Sequence, residues 1–362
     1  MAGGLNVGVN IISKSCEVFF DNDYIAICPN TKEYRNIHYK NLNIIFLPKK
    51  YEKFSGKFFL KKWENKIINE INPDVIFNLC NTPLKTKIKQ LTLLHWPYAV
   101  YPESKVWQMM GIKEKIIRKL KLLNFKFSTN NTSNFTVQTE VMQKRLKEIY
   151  KVQNVYVVPN SVNLLFEKNE NKDFNDFLDI QENFMYFIYP TRYYPHKNIE
   201  VLVDVAKIIN RNNDKIKILL TLDKSENEVK NILNQVSLHN LDKTIINLGQ
   251  LSFAEISCLY TKVDAVLMPT ILESLGLPFL ETMSFKKPLF TSALDFSKSL
   301  CKDYAVFFDP FSPQDIYDKI KLLDNKEYID NKILLGDKIL KDYTNSWEEI
   351  VVSYNKILKN IL

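Results

Sequence analysis

The chain has 362 residues, 46% apolar and 25% charged, the make-up of a globular protein with room for two ordinary domains. A formal net charge of +8 suits anionic partners such as nucleotide diphosphates, lipid phosphates or a membrane surface, and no nucleic-acid recognition motif accompanies it. No run approaches the ~18–20 apolar residues of a spanning helix, and Met1–Ala2–Gly3–Gly4 lacks the basic start and apolar core of a signal peptide. A cytoplasmic protein, at most peripheral to a membrane, is therefore expected. The five cysteines, Cys16, Cys28, Cys80, Cys258 and Cys301, are scattered without metal-ligand spacing and read as reduced structural thiols.

Short apolar runs alternate with amphipathic helical patterns, the signature of parallel sheets flanked by helices. In the first half the spacing predicts strands at Tyr24–Cys28, Ile44–Leu47, Val75–Leu79, Leu91–His95, Phe125–Thr129, Phe135–Gln138 and Val155–Val158. Helices are expected near Asn6–Cys16, Lys57–Ile71, Glu103–Leu123 and Thr139–Tyr150. The polar stretch Glu167–Glu182 reads as a connection between domains. A second series of strands follows at Met185–Tyr189, Ile216–Thr221, Ile245–Leu248, Ala265–Met268, Pro288–Thr291 and Ala305–Phe308. Its helices are expected near Lys197–Asn210, Glu226–Leu238, Phe253–Tyr260 and Ile316–Leu323, with a terminal helix at Trp347–Leu362. Gly3–Gly4, ahead of the helical pattern Leu5–Cys16, reads as the loop that follows a first strand, yet no strand precedes it. A start upstream of Met1 is the expectation, because a missing central strand leaves its neighbours' backbone groups unpaired.

The stretch Pro269–Glu281 organises the chemistry. It follows the buried run Asp264–Met268 and leads into a helix ending near Glu281–Phe285, so Glu273 and Glu281 stand on either side of a strand-to-helix turn. Gly276 lies between them in a chain with only eight glycines, where a helix start lets a phosphate approach the backbone. Upstream, Tyr189–Pro190–Thr191–Arg192–Tyr193–Tyr194–Pro195–His196–Lys197–Asn198 brackets a turn with two cations that can point at one diphosphate. Arginine supplies a planar fork there and lysine a point charge. A helix N-terminus disfavours positive charge, which argues against two idle cations at this place.

Glu-(seven residues)-Glu after a Pro-ended strand, with Arg192 and Lys197 before it, resembles the donor site of retaining glycosyltransferases of family 4. That resemblance implies an α/β chain of GT-B architecture: two Rossmann-like, doubly wound domains facing across a cleft, with a C-terminal helix crossing back to the first. The implied organisation is an acceptor-side domain over 1–166, a donor domain over 183–345 and a returning helix over 346–362. Arg192 and Lys197 would neutralise the departing diphosphate, with Thr191 where the family usually has glycine. Backbone near Ser274, Leu275, Gly276 and Leu277 would hold the diphosphate, Glu273 the donor sugar and Glu281 the ribose. Leu248–Gly249–Gln250–Leu251–Ser252 is similar to the loop flanking the base, with Gly249 at its closest approach. In Leu94–His95–Trp96–Pro97–Tyr98, His95 would face the donor sugar. Val137–Gln138–Thr139–Glu140 and Val158–Pro159–Asn160–Ser161–Val162–Asn163 are similar to stretches lining the cleft on the acceptor side and near the hinge, which assigns Gln138, Thr139 and Asn160 to that side; Gly3 and Gly4, as the loop after a first strand, are assigned there too. Ser161 stands where glycine is usual.

The implied reaction transfers a hexose or deoxyhexose from a nucleotide-diphosphate sugar to a hydroxyl with retention, needing no cofactor. The implied partners are that donor and a lipid-linked or growing bacterial surface glycan such as O-antigen or capsule. Another nucleotide-sugar enzyme such as an epimerase, or a non-catalytic nucleotide-sugar-binding subunit, is the alternative. Asp21–Asn22–Asp23 has the Asp-x-Asp form of metal-dependent GT-A enzymes but falls between a helix and a strand with no phosphate loop nearby, and reads as a solvated turn. No metal site is expected. Two basic stretches remain, Lys49–Lys53 leading into Lys57–Trp63, and the stripe Ile112, Ile116, Leu120 and Leu123 among Lys113, Lys115, Arg118, Lys119 and Lys121. Each fits either an anionic lipid surface or a core-facing helix with solvated lysines.

Overall fold

The computed structural model describes residues 3–51, 57–132, 134–161, 180–343 and 345–362. Strands β1 to β6 are Tyr24–Cys28, Leu42–Phe46, Ile76–Asn78, Gln90–Leu93, Asn134–Val137 and Asn154–Val157. Strands β7 to β12 are Met185–Tyr189, Ile216–Leu220, Ile245–Asn247, Ala265–Met268, Leu289–Ser292 and Val306–Phe308. Helices α1 to α6 are Gly3–Val18, Lys32–Arg35, Lys57–Ile71, Val106–Met109, Ile112–Ser128 and Glu140–Tyr150. Helices α7 to α15 are Val201–Arg211, Asn227–Leu238, Phe253–Lys262, Leu277–Ser284, Asp295–Cys301, Pro313–Ile320, Lys326–Ile333, Gly336–Leu340 and Trp347–Ile361. The chain divides into two compact units, Met1–Val100 with Ile117–Ser161 and Asn345–Leu362, and Tyr101–Ile116 with Val162–Thr344.

In the first unit every strand pairing is parallel, in two pieces: β1 with β2, and the four-stranded order β3-β4-β5-β6. Helix α1 serves both pieces. Leu5, Val9 and Ile12 pack on the cluster around Cys28, Tyr34 and Ile37. Val7 and Ile11 join Leu91 and Leu93 of β4 with Trp347, Ile350, Tyr354 and Ile357 of α15. A capping box starts α15, Ser346 accepting from Glu349 N–H while the Glu349 carboxylate accepts from Ser346 N–H. Lys14 of α1 meets Glu348 of α15 at 2.7 Å.

Among the described residues the second unit has one six-stranded parallel sheet, ordered β12-β11-β10-β7-β8-β9. Strands β10 and β11 are buried along their whole length, which is why they read as unbroken apolar runs rather than alternating ones. Segment Tyr101–Ile116 belongs here through the Tyr101 hydroxyl, which donates to Asp295 at 3.1 Å, and through the Lys105 ammonium over the Phe311 ring.

Several expected boundaries shift for local reasons. Phe125–Thr129 is not a strand: it closes α5 and enters a short turn. Phe-Lys-Phe mimics a two-residue period, but Phe125 is buried with Ser128 on one helical face while Phe127 faces out. The single helix expected over Glu103–Leu123 is two, separated where Met110 adopts an extended conformation before Gly111. Lys197 does not start a helix. It ends a 3-10 turn over Pro195–Lys197, Asn198 turns left-handed with φ 53°, and α7 begins only at Val201. Gly3 and Gly4 are the first residues of α1 rather than a loop before it. The Glu167–Glu182 connection lies mostly outside the described residues, as do Glu52, Lys53, Val162 and Asn163.

The packing of α15 yields a test. Ile350 is 1% exposed inside the first unit's core, whereas Val352 two residues on is 49% exposed. Ile350→Ala should cost about 3 kcal/mol by removing buried methylenes and leaving a cavity. Val352→Ala should stay within ~0.5 kcal/mol. Urea unfolding of the two variants beside the parent protein measures both; equal effects would mean that α15 does not carry this core.

Candidate functional site

The strand order of the second unit sets where a ligand can enter. From β7 the chain winds outward through β8 and β9, then returns to the other side of β7 for β10, β11 and β12. The loops leaving β7 and β10 therefore diverge, and a crevice opens at the carboxyl ends of these neighbours. Arg192 to Asn198 follow β7, and Pro269 to Gly276 follow β10. Both charged motifs found in the sequence thus meet at one place.

Hydrogen bonds join the two loops. Asn198, 4% exposed, donates from Nδ2 to the carbonyls of Pro269 at 3.2 Å and Pro310 at 2.7 Å. Ile271 N–H donates to the His196 carbonyl at 2.8 Å, and the Tyr189 hydroxyl donates to the Lys197 carbonyl at 3.1 Å. On this frame Lys197 Nζ donates to Glu273 Oε1 at 2.5 Å, and Thr270 Oγ1 donates to the same oxygen at 2.9 Å. The two side chains are 13% and 12% exposed, so neither charge is well hydrated and each compensates the other. An arriving anion could take the ammonium, and hydroxyl donors could take the carboxylate. Arg192, at the start of the same loop, is exposed.

Two glycines shape the backbone around this pair. Gly276 caps α10 at φ 78°, and a Cβ there would lie 2.6 Å from the Phe279 ring, so neither the conformation nor the space admits a side chain. Ser274, Leu275 and Leu277 flank it, and the positive end of α10 opens at the crevice. Gly249 follows β9 at φ 82° with open space where a Cβ would be. Its N–H donates to Asn247 Oδ1 at 3.4 Å, an oxygen that also accepts from Leu222 N–H at 2.9 Å. The neighbouring Gln250 donates to the Asp223 carboxylate at 2.5 Å. One turn into α10, Glu281 accepts from the Tyr260 hydroxyl at 3.2 Å. Burial pushes its carboxyl up to about 7, against the opposing pull of that hydrogen bond.

The first unit assembles its own group at a sheet's carboxyl edge. His95 follows β4. Its N–H donates to Asn81 Oδ1 at 2.8 Å, and Asn81 Nδ2 lies 3.3 Å from its Nε2. An amide NH2 facing Nε2 makes that nitrogen the acceptor and leaves the ring proton on Nδ1. Burial, helped by the Lys121 charge, holds the imidazole below its ordinary pKa. Gly4 packs beside the ring, where a Cβ would stand 3.6 Å from Nε2, and Gly3 precedes it at the start of α1. Gln138 is buried at the end of β5, and Thr139 caps α6 by accepting from Met142 N–H at 3.3 Å. Asn160, past β6, is buried with an Oδ1 that has no partner among the described residues. Asp21 to Asp23 form an exposed turn, and no group of three or more His, Cys, Asp or Glu among the described residues could hold a metal ion.

The sequence reading missed Asn81, Asn198 and Thr270, the residues that hold its candidates in place. Asn81 and Asn198 share a signal, an asparagine at positive φ (64° and 53°) in a turn beside a strand end. Sequence shows only the asparagine, one of many here.

Two titrations test these surroundings. The unfolded Glu281 carboxyl deprotonates near 4.5 and the folded one near 7, so folding loses stability between those values and bears the full cost above them. Glu281→Gln should therefore stabilise the unliganded protein increasingly from pH 4.5 to 7, by up to ~3 kcal/mol, then level off. Thermal unfolding across that range reads it; a gain independent of pH would contradict the buried carboxylate. For His95, imidazole NMR should place the midpoint below its ordinary 6.5, with the ring less than half charged at that pH, and Asn81→Gly, which preserves the left-handed backbone, should raise the midpoint. A ring half-charged at that pH would refute the assignment.

The chain is similar to known glycosyltransferases. Residues 170–333 match the family model described as Glycosyl transferases group 1. An uncharacterized glycosyltransferase of Methanocaldococcus jannaschii is 24% identical over 241 residues, 66% of this chain and 62% of that one. The O-antigen chain mannosyltransferase RfbU of Salmonella typhimurium is 25% identical over 179 residues, 49% of this chain and 46% of that one. Both alignments thus span less than two thirds of the relative. Among solved structures, a glycosyltransferase from Rickettsia africae superposes with a TM-score of 0.70 at 15% identity, covering 99% of this chain and 95% of that one. The structural neighbours are GT-B glycosyltransferases. Residues 170–333 thus resemble group 1 glycosyltransferases, within a chain of GT-B fold.

Proposed function

We propose that the chain is a retaining, metal-independent glycosyltransferase that moves a hexose or deoxyhexose from a nucleotide-diphosphate sugar to a hydroxyl of a lipid-linked or growing bacterial surface glycan, O-antigen or capsule, at the cytoplasmic side. The observation that carries this reading is the Lys197–Glu273 pair in the crevice between β7 and β10, next to the glycine start of α10. It offers a cation for a diphosphate and a carboxylate for sugar hydroxyls within one hydrogen bond of each other. The group 1 family match and the similarity to an O-antigen chain mannosyltransferase support a nucleotide-sugar donor and a glycan acceptor.

The roles follow from charge. As the bond to the anomeric carbon breaks, negative charge grows on the leaving diphosphate and positive charge on the sugar carbon. Lys197, Arg192 and the amides at the start of α10 stabilise the diphosphate, so no metal is needed to do so. Glu273, released from Lys197, accepts hydroxyls of the sugar. The neutral His95 ring can donate from Nδ1 to the sugar without adding a cation beside the developing positive charge. The departing phosphate oxygen is the base nearest the incoming hydroxyl, which gives retention. Glu281 holds ribose hydroxyls, with Gly249 beside the base.

Steady-state kinetics in excess EDTA test this. Turnover should persist in the parent protein. Arg192→Ala and Lys197→Ala should lower kcat by roughly 100-fold, the scale of losing a transition-state charge contact. Glu273→Gln should also lower kcat, whereas Glu281→Ala should chiefly raise the donor KM, about tenfold, since ribose contacts do not change during reaction. Activity recovered only with manganese, or a Glu281 variant that loses turnover at unchanged KM beside a near-normal Glu273→Gln, would overturn the reading.

A further inference from the structure

We propose that α5 is a docking helix that lays its outer face on an anionic lipid bilayer surface. The sequence left open whether its apolar stripe faces the core or the outside, and the structure decides. The face turned inward carries Phe125 and Ser128, both buried, with Leu122 partly covered. On the same side the Arg118 guanidinium stands 4.4 Å from the Tyr98 ring centre and the Lys121 ammonium 4.3 Å from that of Trp96. The opposite face carries Ile112, Ile116, Leu120, Leu123 and Phe127, exposed by between 49% at Leu123 and 79% at Ile112. At ~100° per residue these five fall within an arc of roughly 80°, centred opposite Phe125. The helix has its usual apolar stripe turned away from the protein.

The charges beside that stripe name the occupant. Lys115, Lys119 and Lys126 run along one edge and Lys113 along the other, and α5 as a whole has six cations against one anion, Glu114. A bilayer surface meets this pattern in one step: acyl chains take the apolar strip while phosphates on both sides take the lysines. A second copy of the chain would bring a like-charged helix against this one. A strip one side chain wide and about 22 Å long also offers a few hundred Å², short of the ~800 Å² per partner of a stable protein interface. No described helix is long and apolar enough to cross a membrane, so the contact is with the surface alone. The proposal is independent of the donor reading, because binding to lipid needs no nucleotide.

Sedimentation of the full chain with vesicles tests it. Vesicles of about 30% phosphatidylglycerol in phosphatidylcholine should pull the protein down, and vesicles of phosphatidylcholine alone should bind it at least roughly tenfold less. Raising salt from about 50 to about 500 mM should weaken anionic binding by a similar factor. The paired change Leu120→Ser with Leu123→Ser, both at exposed positions away from the candidate site, should lower binding about tenfold or more with the circular dichroism spectrum preserved. Equal binding to both vesicle types, a paired variant that binds like the parent, or a dimer dissolved by the same variant would each overturn the proposal.

Discussion

Two opposite charges withdrawn from water can persist only if each remains the other's partner, and the Lys197–Glu273 pair imposes that condition on the second unit. Its members come from loops 76 positions apart in sequence, so the fold must bring them together before either is tolerable. Asn198 does much of this. Held in the left-handed region, its side chain spans from the β7 loop to the carbonyls of Pro269 and Pro310. The surrounding strands are buried on both faces, so the loops have little freedom to drift apart. Polar groups that would otherwise be stranded are paired with one another, and any ligand must replace those bonds rather than simply fill space.

The same economy governs the backbone. Gly276 meets two demands that coincide at one position, a left-handed turn and contact with Phe279, whereas Gly249 meets only the conformational one. The two carboxylates also differ in kind. Glu273 has a cation and a hydroxyl on one oxygen, while Glu281 has, among the described residues, the Tyr260 hydroxyl alone, and burial raises its pKa. A hydrogen-bond donor at Glu273 would have to displace a partner, whereas at Glu281 it would offset the cost of burial.

Much of this was legible because parallel strands buried on both faces write themselves as short apolar runs, and β7 and β10 stand within the expected limits. The cations after one strand and the carboxylates after another could be named because topology places the ends of adjacent parallel strands together. What failed was local. Phe125–Thr129 looked like alternation because only two aromatics sampled the period, and the continuous helix overrode them. Lys197 looked like a helix start because the sequence cannot show that Asn198 leaves the right-handed region. Asn81 was invisible for a related reason: its importance lies in a bond to a residue fourteen positions away, and nothing in its neighbours announces it.

Helix α1 has a position whose consequence is mechanical. The first unit's strands form two separate hydrogen-bonded pieces, and α1 touches the core of each, through Leu5, Val9 and Ile12 on one side and Val7 and Ile11 on the other. Gly8, between these rows, rests against the Tyr34 hydroxyl with no room for a side chain, so the helix cannot slide or turn without a collision. Where a continuous sheet would share strain among backbone hydrogen bonds, here it crosses through side chains on one helix. That helix is a keystone: the cores of both pieces lean on it, and its first turn carries Gly4 beside the His95 ring.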